Sequence, residues 1–535
     1  MDRIAAMPVW WRNLVFVALV GGAVALGQAM LWRAPLEAVD PAALPLPEAD
    51  EAALAGEVDA ACAAGRAGAG GAPVALADEF TVLRRLSLAL FGSIPSYEEI
   101  RLAREVPEGR RIDWWLRRAF RDQRYGDYVA ERFVRICAGT ESGPFLVYRR
   151  RRFVDWWSEQ LRKNRPYDEL VRSLIASNGL WTTDPATNFV TRHVVPQRGP
   201  DEARLAARVS RAFLGIRLDC VECHDDFLEG RWKQADFHRL AAFFREADMV
   251  VTGLSDSGKG DYKVRMRGAS GETPVEAAVP FGGEWLPTEG SLRTRLAGWV
   301  THPENASFSR TAVNRVWALL FGTPMITPVD HLGPEEGLPP ALDLLARDFV
   351  AHGHDLQRLI RIIAQTGAFR SSSSAGNSGA RFPLTRLRPE QVARSIGQAS
   401  SLTTIDASSH ILPRIRRQGE TRDFATRFGD AGSDEFDAAA VTVPQRLLLM
   451  NGKMIAQHIR EDLVMNAATR IGSLAEGDAA AVEAAFLAVL TRPPSPPERE
   501  HFTGVLRGSR GGERSRRMED LYWSLLNATE FSWNH

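Results

Sequence analysis

The chain has 535 residues, which is too long for one ordinary domain and suggests roughly two or three. Hydrophobic residues make up 45% and charged residues 25%, a balance that excludes a disordered chain and supplies a sizeable core. Lys and Arg total 66 against 66 for Asp and Glu, and this neutrality argues against a dedicated nucleic-acid binder, whose phosphate contacts demand a basic excess.

Arg3 and Arg12 precede an apolar run from Leu14 to Trp32 that contains no charged residue. A run of about 18–20 apolar residues spans a bilayer as a helix, whereas the apolar part of a cleaved signal segment is usually about 7–15 residues long. Residues 1–33 therefore read as a membrane anchor, with a signal segment as the alternative. After Arg33, acidic residues (Glu37, Asp40, Glu48, Asp50 and Glu51) soon dominate. The basic bias puts the N-terminus in the cytoplasm and the main body outside it, periplasmic or at the cell surface. Residues 34–77, rich in Ala, Pro, Gly and acidic side chains, read as a linker with at most one short helix near Ala52–Ala61.

Organised sequence begins at residue 78. Leu83, Leu86, Leu88, Leu90 and Phe91 share a broad helical face that Gly92 terminates, and Pro95-Ser96 opens the next helix. Helices are predicted at Ile112–Arg121, Tyr125–Cys137, Phe153–Lys163, Tyr167–Ser177, Glu202–Leu218 and Gln234–Arg245. Residues 78–248 thus form a first helical domain. Between 249 and 290 Gly, Ser and Thr become frequent, and DYKVRMRG and TPVEAAVPF suggest a small sheet. Helices return in a second domain, 291–535, at Thr311–Phe321, Pro340–His352, Leu356–Thr366, Pro389–Ala399, Pro444–Met465, Ala479–Leu490 and Met518–Ala528. The expected fold is mainly α and multi-helical, two helical domains with a small β-rich insert between them.

Only 4 cysteines occur, too few for a disulfide framework, and two of them fall in Cys220-Val221-Glu222-Cys223-His224. CxxCH is the attachment signature of c-type haem. On a helix, positions i, i+3 and i+4 share one face, so Cys220 and Cys223 would hold the haem vinyl groups while His224 supplies an axial ligand to the iron. Two other readings stay open. Cys220, Cys223, His224 or His238, and Asp226 or Glu229 would make a zinc or iron site that lacks a second CxxC half. Alternatively, the two thiols form a redox pair or a structural disulfide, with no cofactor.

VSRAFLGIRLDCVECHDD and RWKQADFHRLAAFF, with LRRLSLALFGSIPS, RYGDYVAERFV and NRPYDELV upstream, resemble the cytochrome-like domain of unknown function of planctomycete surface proteins, abbreviated PSCyt. LAGWVTHPENASFSRTAVNRVWALLFG, DFVAHGHDLQRLIRIIA, VPQRLLLMNG and EDLYWSLLNATEFSWNH resemble its companion domain, PSD. The resemblance implies electron transfer or an oxidative step at the cell envelope, served by a redox partner or other envelope proteins, with no settled activity. It also exposes departures. The family's usual CxxCHDH has Asp226 at its second His position, and Glu229 stands at the acidic position. In the companion domain a usual Asp pair reads Asp330-His331, and GSDEFDAAAVTV replaces a cysteine-bearing stretch.

Further residues carry smaller expectations. His193, His238, Met249, Met266 and His331 are available as a sixth haem ligand, though each also reads as an ordinary surface or core residue. The Arg149–Arg152 run would suit haem propionates or a phosphate, but a solvated helix face is the commoner reading. Asn314, Arg315 and Trp317 read as structural, and His352-Gly353-His354 as a helix-end turn. No nucleophile elbow, phosphate loop or HExxH appears, which disfavours the standard hydrolases, ATPases and zincin proteases.

Overall fold

The computed structural model describes residues 10–11, 13–18, 20–22, 48–64, 75–140, 143–226, 230–258, 260–332, 337–373, 381–409, 411–428, 443–463 and 466–535. Most of the apolar run 14–32, much of the 34–77 linker, Glu229 and almost all of GSDEFDAAAVTV lie outside them. Among the described residues the protein is mainly α. Its strands form four two-stranded antiparallel sheets, and two of these (Asp248–Val250 with Gly253–Ser255, and Lys263–Val264 with Thr273–Pro274) fall at the expected insert. No helix of the described residues is long and apolar enough to cross a membrane.

The first strongly patterned helix forms as its sequence dictates. Asp78 accepts the Phe80 N–H at the start of Glu79–Phe91, and Gly92 ends it at φ 67°, the left-handed conformation glycine adopts without penalty. Ser96 then builds a reciprocal cap with Glu99 on helix Tyr97–Glu105. Apolar side chains of Glu79–Phe91 enter two cores. Leu83, Leu86 and Leu90 join one that extends from Ala55 to Phe382, whereas Leu88, with Ile94 just beyond the helix, joins a second formed mostly by Leu387–Phe531. The segment expected to be a linker contributes to the first core. Its helix, Ala49–Ala64, buries Val58 and ties Glu51 to Arg361 at 2.6 Å, while Asp59 accepts the N–H groups of Gly367 and Ala368.

Three expected helices are shorter than their patterns. Glu202–Leu218 is α-helical only to Val209; a wide turn of π type follows over Ser210–Leu214, and Gly215 stops it at φ 62°. A Cβ on Gly215 would lie 2.6 Å from Thr311 Oγ1 and 2.8 Å from Leu332 Cγ, so the close approach of the second half of the chain imposes the break. Gln234–Arg245 tightens to a 3₁₀ turn after Ala241. Pro444–Met465 splits into Val443–Asn451 and Lys453–Ile459 at Gly452. Helix Ile411–Phe428 has no counterpart in the pattern reading.

Candidate functional site at the CxxCH turn

After Gly215 the chain makes a 3₁₀ turn over Leu218–Val221 and then bends through Glu222–His224. The CxxCH motif is therefore not carried on an α-helix, and the shared-face argument gives way to a different geometry. In a 3₁₀ turn residues three apart eclipse one another. Leu218 and Val221 take the inward side, and Cys220 is left exposed. The following bend exposes Cys223 as well, and both thiols are free.

The backbone between the thiols is fastened from the next helix, Gln234–Ala241. The Glu222 carbonyl accepts from Gln234 Nε2 and from His238 Nε2, each at 3.0 Å. The Gln234 N–H donates to Asp225 Oδ1 at 2.9 Å, and the Asp226 N–H donates to the Trp232 carbonyl at 2.9 Å. Because a carbonyl only accepts, His238 carries its proton on Nε2, and Tyr262 OH donates to Nδ1 at 2.8 Å. Burial holds the His238 pKa below its ordinary value, in keeping with a neutral ring. The same reasoning fixes His224. Its Nδ1 lies 2.7 Å from the Asp225 carbonyl and must donate, so that in the neutral ring the lone pair is on Nε2.

The second half of the chain grips the segment leading into the turn. Arg211 makes two bonds to Asp219, at 2.9 and 2.7 Å, and reaches Asp330 at 3.2 Å. Arg217 closes on the same Asp330 at 2.6 Å. Burial alone would raise the Asp330 pKa, but Arg217, Arg211 and Arg315 outweigh it and hold the carboxyl below its ordinary range. Arg315 donates to the carbonyls of Ala212 and Arg211 at 2.6 and 3.0 Å, and the Leu332 N–H donates to Gly215 O at 2.9 Å. The Asp330-His331 departure thus marks an ion-paired clasp. It leaves no local signal in the sequence, because Asp330 stands more than 100 residues from Arg211 and Arg217.

The remaining candidates disperse. Among the described residues no three His, Cys, Asp or Glu side chains converge as a metal site. His238 spends both ring nitrogens on protein partners, Asp226 is half-buried, and Glu229 lies outside the described residues. His193 is buried and its pKa is pushed down to about 3, by burial first and then by Arg208, Arg192 and Arg204. Met249, Met266 and His331 are half-buried, on separate segments. Arg150 donates to Gly139 O and to Glu131, both at 2.7 Å, so it is structural, while Arg151 and Arg152 are exposed. Asn314 exchanges bonds with Ile326 at 3.0 and 3.1 Å, and Trp317 stacks on Phe321 with ring centres 4.0 Å apart, as the structural reading expected. His352-Gly353-His354 is a helix-end turn, with Gly353 and His354 both at positive φ.

The donor set suits covalent haem attachment: two exposed free thiols on one turn, and an imidazole oriented through Nδ1. A groove of about 450 Å³ is lined by Phe120, Arg121, Glu159, Arg162 and Lys163, and a gap of about 20 Å³ by Leu214, Gly215, Ile216 and facing residues. Neither takes in Cys220, Cys223 or His224.

Residues 57–249 match the family PSCyt2, described as a protein of unknown function (DUF1549), and residues 292–506 match PSD1, described likewise (DUF1553). The chain is a two-domain PSCyt2–PSD1 protein. The CxxCH turn lies in the PSCyt2 region, and Arg315, Asp330 and Leu332 of the clasp lie in PSD1. No curated protein and no solved structure matches the chain.

Proposed function

We propose that this PSCyt2–PSD1 protein is a membrane-anchored, extracytoplasmic c-type-cytochrome-like protein, with Cys220 and Cys223 as haem tethers and His224 as the axial ligand. The observation that carries this reading is the exposure of both thiols. Free cysteine is among the most buried residue types, and Cys137 is 1% exposed in this protein. Two exposed cysteines three apart, on a turn whose intervening carbonyl is held by two side chains, are arranged for covalent chemistry and not for packing. A bound haem would supply one-electron exchange with an envelope redox partner. The protein's own contribution is a stiff turn, an oriented His224 ring and a link through Arg211, Arg217 and Asp330 to the PSD1 half.

Export and anchoring rest on the charge-free run Leu14–Trp32 after Arg3 and Arg12. Within its described part Leu14, Phe16, Val17 and Val20 are exposed on helical backbone, as suits a lipid-facing segment. The alternative is a non-haem scaffold whose thiols bind metal or pair with each other. Its support is that neither cavity described above takes in Cys220, Cys223 or His224.

Intact-mass analysis decides between them, on protein exported alongside haem-attachment machinery. The proposal expects a covalent gain of one haem that disappears in Cys220→Ala/Cys223→Ala. Unmodified polypeptide carrying zinc, iron or a Cys220–Cys223 disulfide would establish the alternative.

A further inference from the structure

Phe145 and Leu146 are among the most exposed large apolar side chains of the described residues, at 84% and 73%. They sit side by side at the tip of the turn Pro144–Val147. The turn is not slack. The Arg149 N–H donates to Asn188 Oδ1 at 2.7 Å, Asn188 donates in turn to the Trp181 and Pro185 carbonyls, and the Arg149 side chain reaches back to the Phe145 carbonyl. Two apolar groups are thus held out from a fixed base.

That base is cationic for a structural reason. The C-terminal end of helix Gln123–Ala138 leaves carbonyls without helical partners. Arg208 takes Ile136 O at 3.1 Å, Arg192 takes Ala138 O at 3.1 Å, and Arg150 takes Gly139 O at 2.7 Å. Arg149 stands over the Phe145 ring at 5.6 Å, and Arg151 and Arg152, which follow in the chain, are exposed. On helices Gln123–Ala138 and Arg150–Arg162, the carboxylates nearest this end are Glu131, which already accepts from Arg150 and Arg135, and the exposed Asp155. Capping a helix end needs no more than one or two of these guanidiniums, and it needs neither Arg151, Arg152 nor an uncovered Phe-Leu pair.

We infer that the Phe145–Leu146 tip and its arginine collar form a contact with the surface of an anionic bilayer. The tip enters the headgroup–acyl boundary and the guanidiniums meet lipid phosphates. Charge complementarity selects this occupant: an apolar protein partner would leave the collar uncompensated, and a neutral lipid surface would leave it unused. The inference rests on the anchored reading above only in that the anchor keeps the body near a membrane.

Amide exchange of residues 143–149 tests it, with the full chain incorporated into vesicles of phosphatidylcholine alone or mixed with phosphatidylglycerol. Protection of at least about threefold is expected only in the anionic vesicles. It should fall on raising salt and vanish in Phe145→Ser/Leu146→Ser, and Arg151→Glu/Arg152→Glu should weaken it. All four side chains are accessible, so these variants keep the fold. Equal exchange in both vesicles overturns the inference. So does protection by an acidic polypeptide in solution with none by anionic lipid. Flotation with the neutral vesicles reports the anchor separately. A chain that floats but leaves the loop unprotected loses the tip alone, whereas loop protection without neutral flotation removes the anchor alone.

Discussion

At the residue scale the decisive atom is the Glu222 carbonyl, a backbone group between two thiols that accepts from both Gln234 and His238. Gln234→Ala is expected to cost about 1–2 kcal/mol, the value of a part-buried hydrogen bond plus an unsatisfied partner. It should also reduce haem incorporation, because the turn then samples other thiol spacings; denaturant melts and haem content of the same sample measure both. His193 makes a separate prediction about pH. Its folded pKa, about 3, lies below the unfolded value of 6.5, so the unfolded chain binds the extra proton between those limits. Stability associated with His193 is therefore complete above about pH 6.5 and declines as pH falls towards 3, by up to about 1.4 kcal/mol per unit. His193→Gln should flatten the stability–pH slope in that window by about one proton. His238, shifted in the same direction by burial, adds to the same acid loss.

At the element scale the Asp330 clasp links the 3₁₀ turn to the second half of the chain. Its arginines are about a third exposed while Asp330 is largely buried, so solvent screens the pair in part. Asp330→Asn is expected to cost about 2 kcal/mol, less than a fully buried broken pair. A double-mutant cycle with Arg217→Ala should return a coupling of about 1 kcal/mol or more. Because the Asp330 pKa lies below its ordinary value, this contribution is present near neutrality and is lost only as pH falls through that depressed pKa. Elements also show where sequence could be read and where it could not. Glu79–Phe91 with its Gly92 stop, and the Ser96 start of Tyr97–Glu105, were legible because cap and periodicity are local signals. The break at Gly215 was not: its cause is Thr311 and Leu332, about a hundred residues away. The 3₁₀ form of the CxxCH turn was hidden for a related reason, since the inward pull on Leu218 and Val221 comes from the tertiary core. The thiols and His224 were legible as a motif, but the Gln234–His238 fastening beneath them was not.

At the scale of the whole molecule, the apolar cores divide at a different place from the family matches. One core extends from Ala55 to Phe382 and so includes residues of both the PSCyt2 and PSD1 regions. Arg84 and Arg85, adjacent cations inside an apolar helix, bind carbonyls of Val489, Phe531, Phe369 and His535, tying the start of the PSCyt2 region to the end of the chain. Burial lowers their pKa values, to about 10 and about 9, and each is spent on carbonyl acceptors. Sequence could have flagged this pair as the two charges interrupting an otherwise apolar face. A fragment of residues 48–249 would expose the face that packs against Leu296, Trp299, Val313 and Leu320. We expect it to lack cooperative unfolding and a near-ultraviolet circular dichroism signal, whereas the body from residue 48 to 535 should show both.

Covalent haem at the exposed CxxCH turn would show in a pyridine haemochrome spectrum of the full chain, exported with haem-attachment machinery, beside Cys220→Ala and Cys223→Ala. The parent protein is expected to show a c-type spectrum that shifts or weakens in each single variant and is absent when both thiols are removed. A colourless parent protein, correctly folded and exported, would contradict it.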